Sequence, residues 1–211
     1  VIRTLIADDR PILREGLKHI LADCDDIAFA GEAADGHEVL ARLRQEAFDI
    51  LLLDMQMPGK SGVELIRQIK AELPRLPILV LSTHKEDLYA VRAIKAGAAG
   101  YLCKDNAAQC LLQAIRKVAQ GGVYISPAVA EQLVLEMHPA KPNVTPHSLL
   151  SNREYQIFLL IAAGVGTTEI ATRLNLSAKT VSTHKVRIKE KMGLANTSEF
   201  VRYAMEYGLL Q

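Results

Sequence analysis

The sequence predicts a multi-domain chain: a doubly wound α/β unit on a five-stranded parallel sheet, followed by an all-α helix-turn-helix unit. Three observations predict it. Through residue 122, short apolar runs alternate with segments of helical spacing. Residues 138–147 hold three of the chain's eight prolines in ten positions and show no periodicity, as a linker does. From Leu149 onward every periodic segment is helical. A length of 211 residues suits such a pair, since domains run roughly 100–200 residues. The expected divisions are 1–122, a connecting helix and linker over 123–148, and 149–211.

The expected strands are Ile2–Ala7, Ile27–Ala33, Ile50–Leu53, Ile78–Leu81 and Gly100–Cys103. Several are continuously apolar, as strands covered on both faces should be. Helical spacing fills the intervals Pro11–Ala22, Gly36–Glu46, Ser61–Leu73, Asp87–Ala96 and Ala107–Gln120. Ser61 and Glu64 have the spacing of a capping box. Gly97 and Gly121 are placed to stop helices. Ser126-Pro127 reads as the cap and first residue of a helix running to about Met137. Beyond the linker, helices are expected over Asn152–Ala163, Thr167–Leu174, Ala178–Met192 and Thr197–Tyr207. Ser177 reads as the cap of the third, and Asn196 with Glu199 as a capping-box start to the fourth.

Composition narrows the function classes. The chain is 49% hydrophobic and 23% charged, the balance of a globular protein. Its longest runs of Ile, Leu and Val have four residues, far short of the roughly 18 apolar residues a membrane span requires. The N-terminal segment turns acidic at Asp8-Asp9, before a signal-peptide core could form. Cys24, Cys103 and Cys110 are odd in number and lack a C-x-x-C spacing, which argues against a disulfide framework or zinc and for a reducing cytoplasm. The net charge of +1 is a sum of unlike parts. Residues 1–122 carry 16 Lys and Arg against 17 Asp and Glu, whereas residues 178–191 carry five basic residues against one Glu.

The ends of the expected strands concentrate the chemistry. Strand 1 runs into Asp8-Asp9, strand 3 into Asp54, strand 4 into Ser82-Thr83 and strand 5 into Lys104. In open α/β sheets ligands bind at the carboxyl ends of the strands. Taken singly, each residue has a plainer reading: a turn or capping Asp, a capping Ser, a solvated Lys. Together, three carboxylates repel one another unless a cation holds them, and an oxygen-only ligand set suits Mg²⁺. A lysine and a hydroxyl beside them suit phosphoryl oxygens, and a carboxylate so placed can be a nucleophile that forms an acyl phosphate.

With Asp54-Met55-Gln56-Met57-Pro58, Gly62, Ser82 and Gly100-Tyr101-Leu102-Cys103-Lys104 in that order, residues 1–122 resemble the receiver domain of two-component response regulators. The resemblance implies a flavodoxin-like sheet. It implies that Asp54 accepts a phosphoryl group from a sensor histidine kinase. It further implies that Asp9, Asp54 and the Gln56 carbonyl bind Mg²⁺, with Asp8 assisting through water. Lys104 and Ser82 would meet the phosphoryl oxygens and Tyr101 would turn inward, and any catalysis would be confined to the chain's own phosphorylation and dephosphorylation. Phosphatases of the haloacid dehalogenase type share acyl-phosphate chemistry, but they place a second aspartate where this chain has Gln56.

Two short helices joined by a tight turn, the second of them basic, are a helix-turn-helix signature. In Ala178–Met192 the spacing of Val181, Ile188 and Met192 defines an inward face. Ser182, Thr183, Val186 and Lys189 then point outward, toward base edges of double-stranded DNA. Lys179, Thr180, Lys185, Arg187 and Lys189 suit phosphates and the helix entry, while His184 falls inward as a packing residue. Leu150-Ser151-Asn152-Arg153-Glu154, Glu169-Ile170-Ala171 and residues 176–184 resemble the C-terminal module of LuxR-type regulators. The whole chain thus resembles a NarL/FixJ-type response regulator, which implies a cytoplasmic transcription factor that binds paired half-sites as a homodimer when phosphorylated. Thr167-Thr168 stands where relatives often carry Asn-Lys, so one expected phosphate contact is either missing or made through a hydroxyl. Phe200, Val201, Ala204 and Met205 mark the last helix as either a dimer surface or a core element.

Overall fold

The computed structural model describes residues 1–57, 62–82, 87–104, 107–137 and 145–210. The expected features at Pro58, Ser61, Thr83 and residues 138–144 lie outside these. The chain divides into two compact units, residues 1–139 and 140–211.

The first unit alternates strand and helix: β1 (Ile2–Ala7), α1 (Pro11–Ala22), β2 (Ile27–Ala33), α2 (Gly36–Gln45), β3 (Ile50–Asp54), α3 (Gly62–Glu72), β4 (Ile78–Ser82), α4 (Asp87–Lys95), β5 (Gly100–Cys103) and α5 (Ala107–Ala119). The five strands are all parallel in the order β2-β1-β3-β4-β5. Every residue of β3 and β4 is buried, which explains why their sequences are unbroken apolar runs rather than alternating ones. Ile6, Leu52, Leu79, Leu81 and Leu102 form one core with Leu17 and Leu21 of α1 and Leu111, Ile115 and Val118 of α5. Gly100 is required by close approach: a Cβ there would lie 2.7 Å from Leu79 Cδ1 and 3.1 Å from the Tyr124 carbonyl oxygen. Tyr124 follows α5 and bridges to β5, its N–H donating to Ala99 and its carbonyl accepting from Tyr101.

Helix α6 (Pro127–Met137) packs against α4 and buries Val129. Its start is capped as the sequence suggests, the Ser126 hydroxyl accepting from the Val129 N–H at 3.2 Å. It is thus part of the first compact unit.

The second unit comprises a short 3-10 helix (Pro146–Leu149), α7 (Asn152–Ala162), α8 (Thr167–Arg173), α9 (Ala178–Met192) and α10 (Thr197–Glu206). Ser151 caps α7 in a reciprocal box with Glu154, a motif in which the cap is worth about 1 kcal/mol. Phe158 of α7 meets Phe200 of α10 with ring centroids 5.5 Å apart, both fully buried. Ile170, Val181, Ile188 and Met192 complete the core. Proline content made residues 145–147 read as linker, but His147 is buried here. Its ring faces the Tyr203 hydroxyl at 2.8 Å and the Thr145 hydroxyl at 3.1 Å. Helix α10 buries Phe200 and Ala204 and leaves Met205 68% exposed, so it is a core element with an open outer face. Among the described residues, no helix is long and apolar enough to cross a membrane.

Candidate functional site: an acidic pocket and a basic helix

Parallel register brings the strand ends to one edge. Ala7 pairs with Leu53, Asp54 with Leu81 and Ser82 with Cys103, so the residues just beyond each strand converge. Asp8, Asp9 and Asp54 each offer a carboxylate oxygen, and these oxygens lie within 4.8 Å of one another. Asp8 and Asp54 are buried and Asp9 is exposed. Lys104 joins them, its Nζ 2.5 Å from Asp8 Oδ2 and 3.1 Å from Asp54 Oδ1. Ser82 and Tyr101 are buried on β4 and β5, and Gln56 is exposed just after β3. The structure therefore brings Asp8, Asp9, Asp54 and Lys104 into one pocket and places Ser82, Tyr101 and Gln56 on the strands or turns that frame it.

Burial pushes the Asp54 carboxyl above its ordinary range. The neighbouring Asp8 charge adds to this, while Lys104 and Arg10 oppose it. A carboxylate that is partly desolvated, next to two others and one lysine, is a site short of positive charge. The donor set is oxygen only and fits a hard divalent ion.

Sequence reasoning missed two arginines. The Arg10 backbone N–H donates to Asp8 Oδ1 at 2.9 Å, and its Nε lies 3.6 Å from the same oxygen. Arg14 of α1 donates from one terminal nitrogen to the Asp8 carbonyl at 2.7 Å and from Nε to Glu32 Oε2 at 2.8 Å. Arg10 thus fixes the Asp8 carboxylate and Arg14 the Asp8 peptide. Adjacency to Asp9 could have flagged Arg10. Nothing local flags Arg14, because its contacts come from α1 lying over β1 and β2.

In the second unit, Asn175 takes a left-handed φ of 52° in the turn between α8 and α9, a conformation Asn tolerates. Ser177 caps α9, accepting from the Thr180 N–H at 3.0 Å. Val181, Ile188 and Met192 face the core as their spacing indicates. Lys179, Ser182, Thr183, Val186 and Arg187 are exposed, and Thr180 and Lys185 half-buried. Lys189 differs from the outward reading. Its ammonium donates to the Ala195 carbonyl at 2.8 Å, since its long stem reaches the chain just past the helix C-terminus. Lys191 is likewise held, 2.6 Å from Glu154 Oε2. Burial alone would raise the Glu154 carboxyl, but Lys191 and the Ser151 N–H and hydroxyl hold it below the ordinary range. His184 lies on the inward side, half-buried, and burial lowers its pKa; Arg187, Arg153 and Lys191 add to this while Glu154 opposes it.

Two family models match the chain: the response regulator receiver domain over residues 4–116, and the bacterial regulatory proteins of the luxR family over residues 148–204. The chain is a two-component response regulator. This regulator is 37% identical over 210 residues to response regulator GacA of Pseudomonas viridiflava, covering 100% of this chain and 98% of the relative. It is 36% identical over 209 residues to response regulator UvrY of Escherichia coli, covering 99% and 96%. It is similar to a solved structure of RcsB from Salmonella enterica serovar Typhimurium bound to promoter rprA in the presence of a phosphomimetic. That match has a TM-score of 0.63 at 27% identity and covers 96% of this chain and 98% of that one. A structure of two RcsB dimers bound to two parallel DNAs matches with a TM-score of 0.59 at 27% identity, covering 97% and 98%. The regulator thus pairs a receiver with a LuxR-type DNA-binding domain and is of the NarL/FixJ type. Its family is one of transcription regulators rather than of multiple-turnover enzymes.

Proposed function

We propose that Asp54 is the phosphoacceptor of a cytoplasmic phosphorylation switch, and that a sensor histidine kinase supplies the phosphoryl group. The observation that carries this is Lys104 bridging buried Asp8 and Asp54, with Asp9 alongside. An Asp54 carboxylate oxygen attacks the phosphorus of a phosphohistidine. The P–N bond breaks, the imidazole leaves with its electron pair and takes a proton, and an acyl phosphate remains. Asp8, Asp9, Asp54 and the Gln56 carbonyl would hold Mg²⁺, which supplies neutralising charge for the phosphoryl oxygens. Lys104 exchanges its contact with Asp54 for one with a phosphoryl oxygen, and the Ser82 hydroxyl donates to another. Tyr101, already buried on β5, reports the change to that side of the sheet.

The output is sequence-specific binding of double-stranded DNA by α9 as a homodimer on paired half-sites, with residues 1–122 as receiver, 123–148 as connector and 149–211 as DNA-binding module. Lys179, Thr180, Lys185 and Arg187 meet phosphates, and Ser182, Thr183 and Val186 meet base edges. Lys189 contributes through the shape of the helix end. The relatives' DNA complexes support this reading. Moving a competent state from about 1% to about 99% requires a differential of about 5.5 kcal/mol, within reach of an added charge of about −1.5 to −2 plus dimer contacts. The test is binding to a duplex selected from a random pool, with and without a small phosphoryl donor and Mg²⁺, for wild type and Asp54→Asn. Stimulation of wild type alone supports the switch; equal stimulation of both overturns it.

A further inference from the structure

We propose that Val186 is a specificity-determining residue that reads the 5-methyl group of thymine in the major groove. This rests on the DNA-binding reading of α9. Val186 is 55% exposed, and among the described residues no other large apolar side chain of α9 is. It stands on an otherwise polar and charged face. Its neighbours on that face are Ser182, four residues before it, and Thr183, three before it, both exposed. Their hydroxyls donate within the helix, Ser182 Oγ to the Ala178 carbonyl and Thr183 Oγ1 to the Lys179 carbonyl, each at 3.0 Å. The hydroxyl hydrogens are thereby turned back to the backbone, and the face presents lone pairs, the Thr183 methyl and the valine.

Such a face is matched to a particular pair of base groups. Thymine is the base that offers a methyl at the major-groove edge, and adenine and cytosine offer amino donors there. Guanine offers two acceptors, which the lone pairs of the Ser182 and Thr183 hydroxyls do not match. The occupant is a polyanion because exposed Lys179 and Arg187 flank the patch. Exposed Glu190, one turn beyond Val186, repels phosphate and confines the close contact to the first turns of α9.

The experiment uses the full chain with a phosphoryl donor and Mg²⁺. A duplex selected from a random pool is resynthesised with each thymine replaced in turn by deoxyuridine, which removes only the methyl. Wild type should lose about fourfold in affinity at one thymine per half-site, the worth of one buried methyl. Val186→Ala should bind thymine and deoxyuridine duplexes alike. Indifference of wild type to every replacement, or an undiminished thymine preference in Val186→Ala, overturns the proposal. Failure of wild type to select any sequence overturns the underlying DNA-binding reading instead.

Discussion

The acidic pocket and the outer face of α9 are built on opposite principles. The pocket is assembled from three strand ends, and its groups interlock around buried Asp8 and Asp54: Lys104 with both, Arg10 and Arg14 with Asp8. The α9 face comes from one helix, and its exposed groups Lys179, Ser182, Thr183, Val186 and Arg187 project from a core that holds only the opposite side. In the first region a side chain cannot change without altering stability. In the second it can be changed freely, and only the ligand registers the loss. Chemistry on phosphorus needs a desolvated, fixed electrostatic environment, whereas reading DNA needs accessible groups on a rigid rod.

Substitutions can break or sharpen this contrast. The largest effect is expected for Lys104→Met, which leaves two buried carboxylates without their cation. Metal-free protein should lose about 3 kcal/mol at neutral pH in urea unfolding, and phosphoryl incorporation should fall at least ~100-fold. A loss under about 0.5 kcal/mol would mean that the pocket is wet and the contrast false.

Asp54→Asn should act in the other direction. Because burial raises the Asp54 pKa in the folded state, its contribution to stability is fully present below the ordinary value and is lost as pH rises through the folded value. Removing the charge should therefore stabilise metal-free protein at neutral pH by about 1 kcal/mol. The gain should shrink on acidification through the carboxylate range, which thermal melts across pH will show.

Ser177→Ala removes the cap of α9 and tests whether the surface region depends on its own helix end. A loss of about 1 kcal/mol is expected, confined to the second unit's transition. Lys179→Ala is the smallest in stability, within about 0.5 kcal/mol of wild type, yet it should flatten the log–log salt dependence of DNA binding by about 0.9, one phosphate contact. A stability loss as large as that of Lys104→Met would place Lys179 in the fold rather than on its surface.

The two regions also differed in how far they could be read in advance. Period and punctuation located all five strands and their carboxyl ends, because β3 and β4 are covered on both faces and so must be continuously apolar. The inward face of α9 was equally legible, since 3.6-residue spacing places Val181, Ile188 and Met192 together whatever surrounds them. Residues whose roles arise from contacts distant in sequence were not. Composition made His147 a linker residue, but Tyr203, 56 positions away, draws it into the core. Outward spacing made Lys189 a groove residue, but the Ala195 carbonyl holds its ammonium.

The sequence by itself determined the periodicities, the caps and the order of acids, hydroxyl and lysine along the chain, because these depend on neighbours a few residues apart. Only the tertiary structure decided that Lys104 bridges Asp8, 96 positions away, that Arg14 anchors the Asp8 carbonyl, and which cations of α9 are already held. Local pattern sets which face of an element is buried. Which charge meets which depends on where the elements lie in space, and at hydrogen-bond range a shift of an ångström decides it.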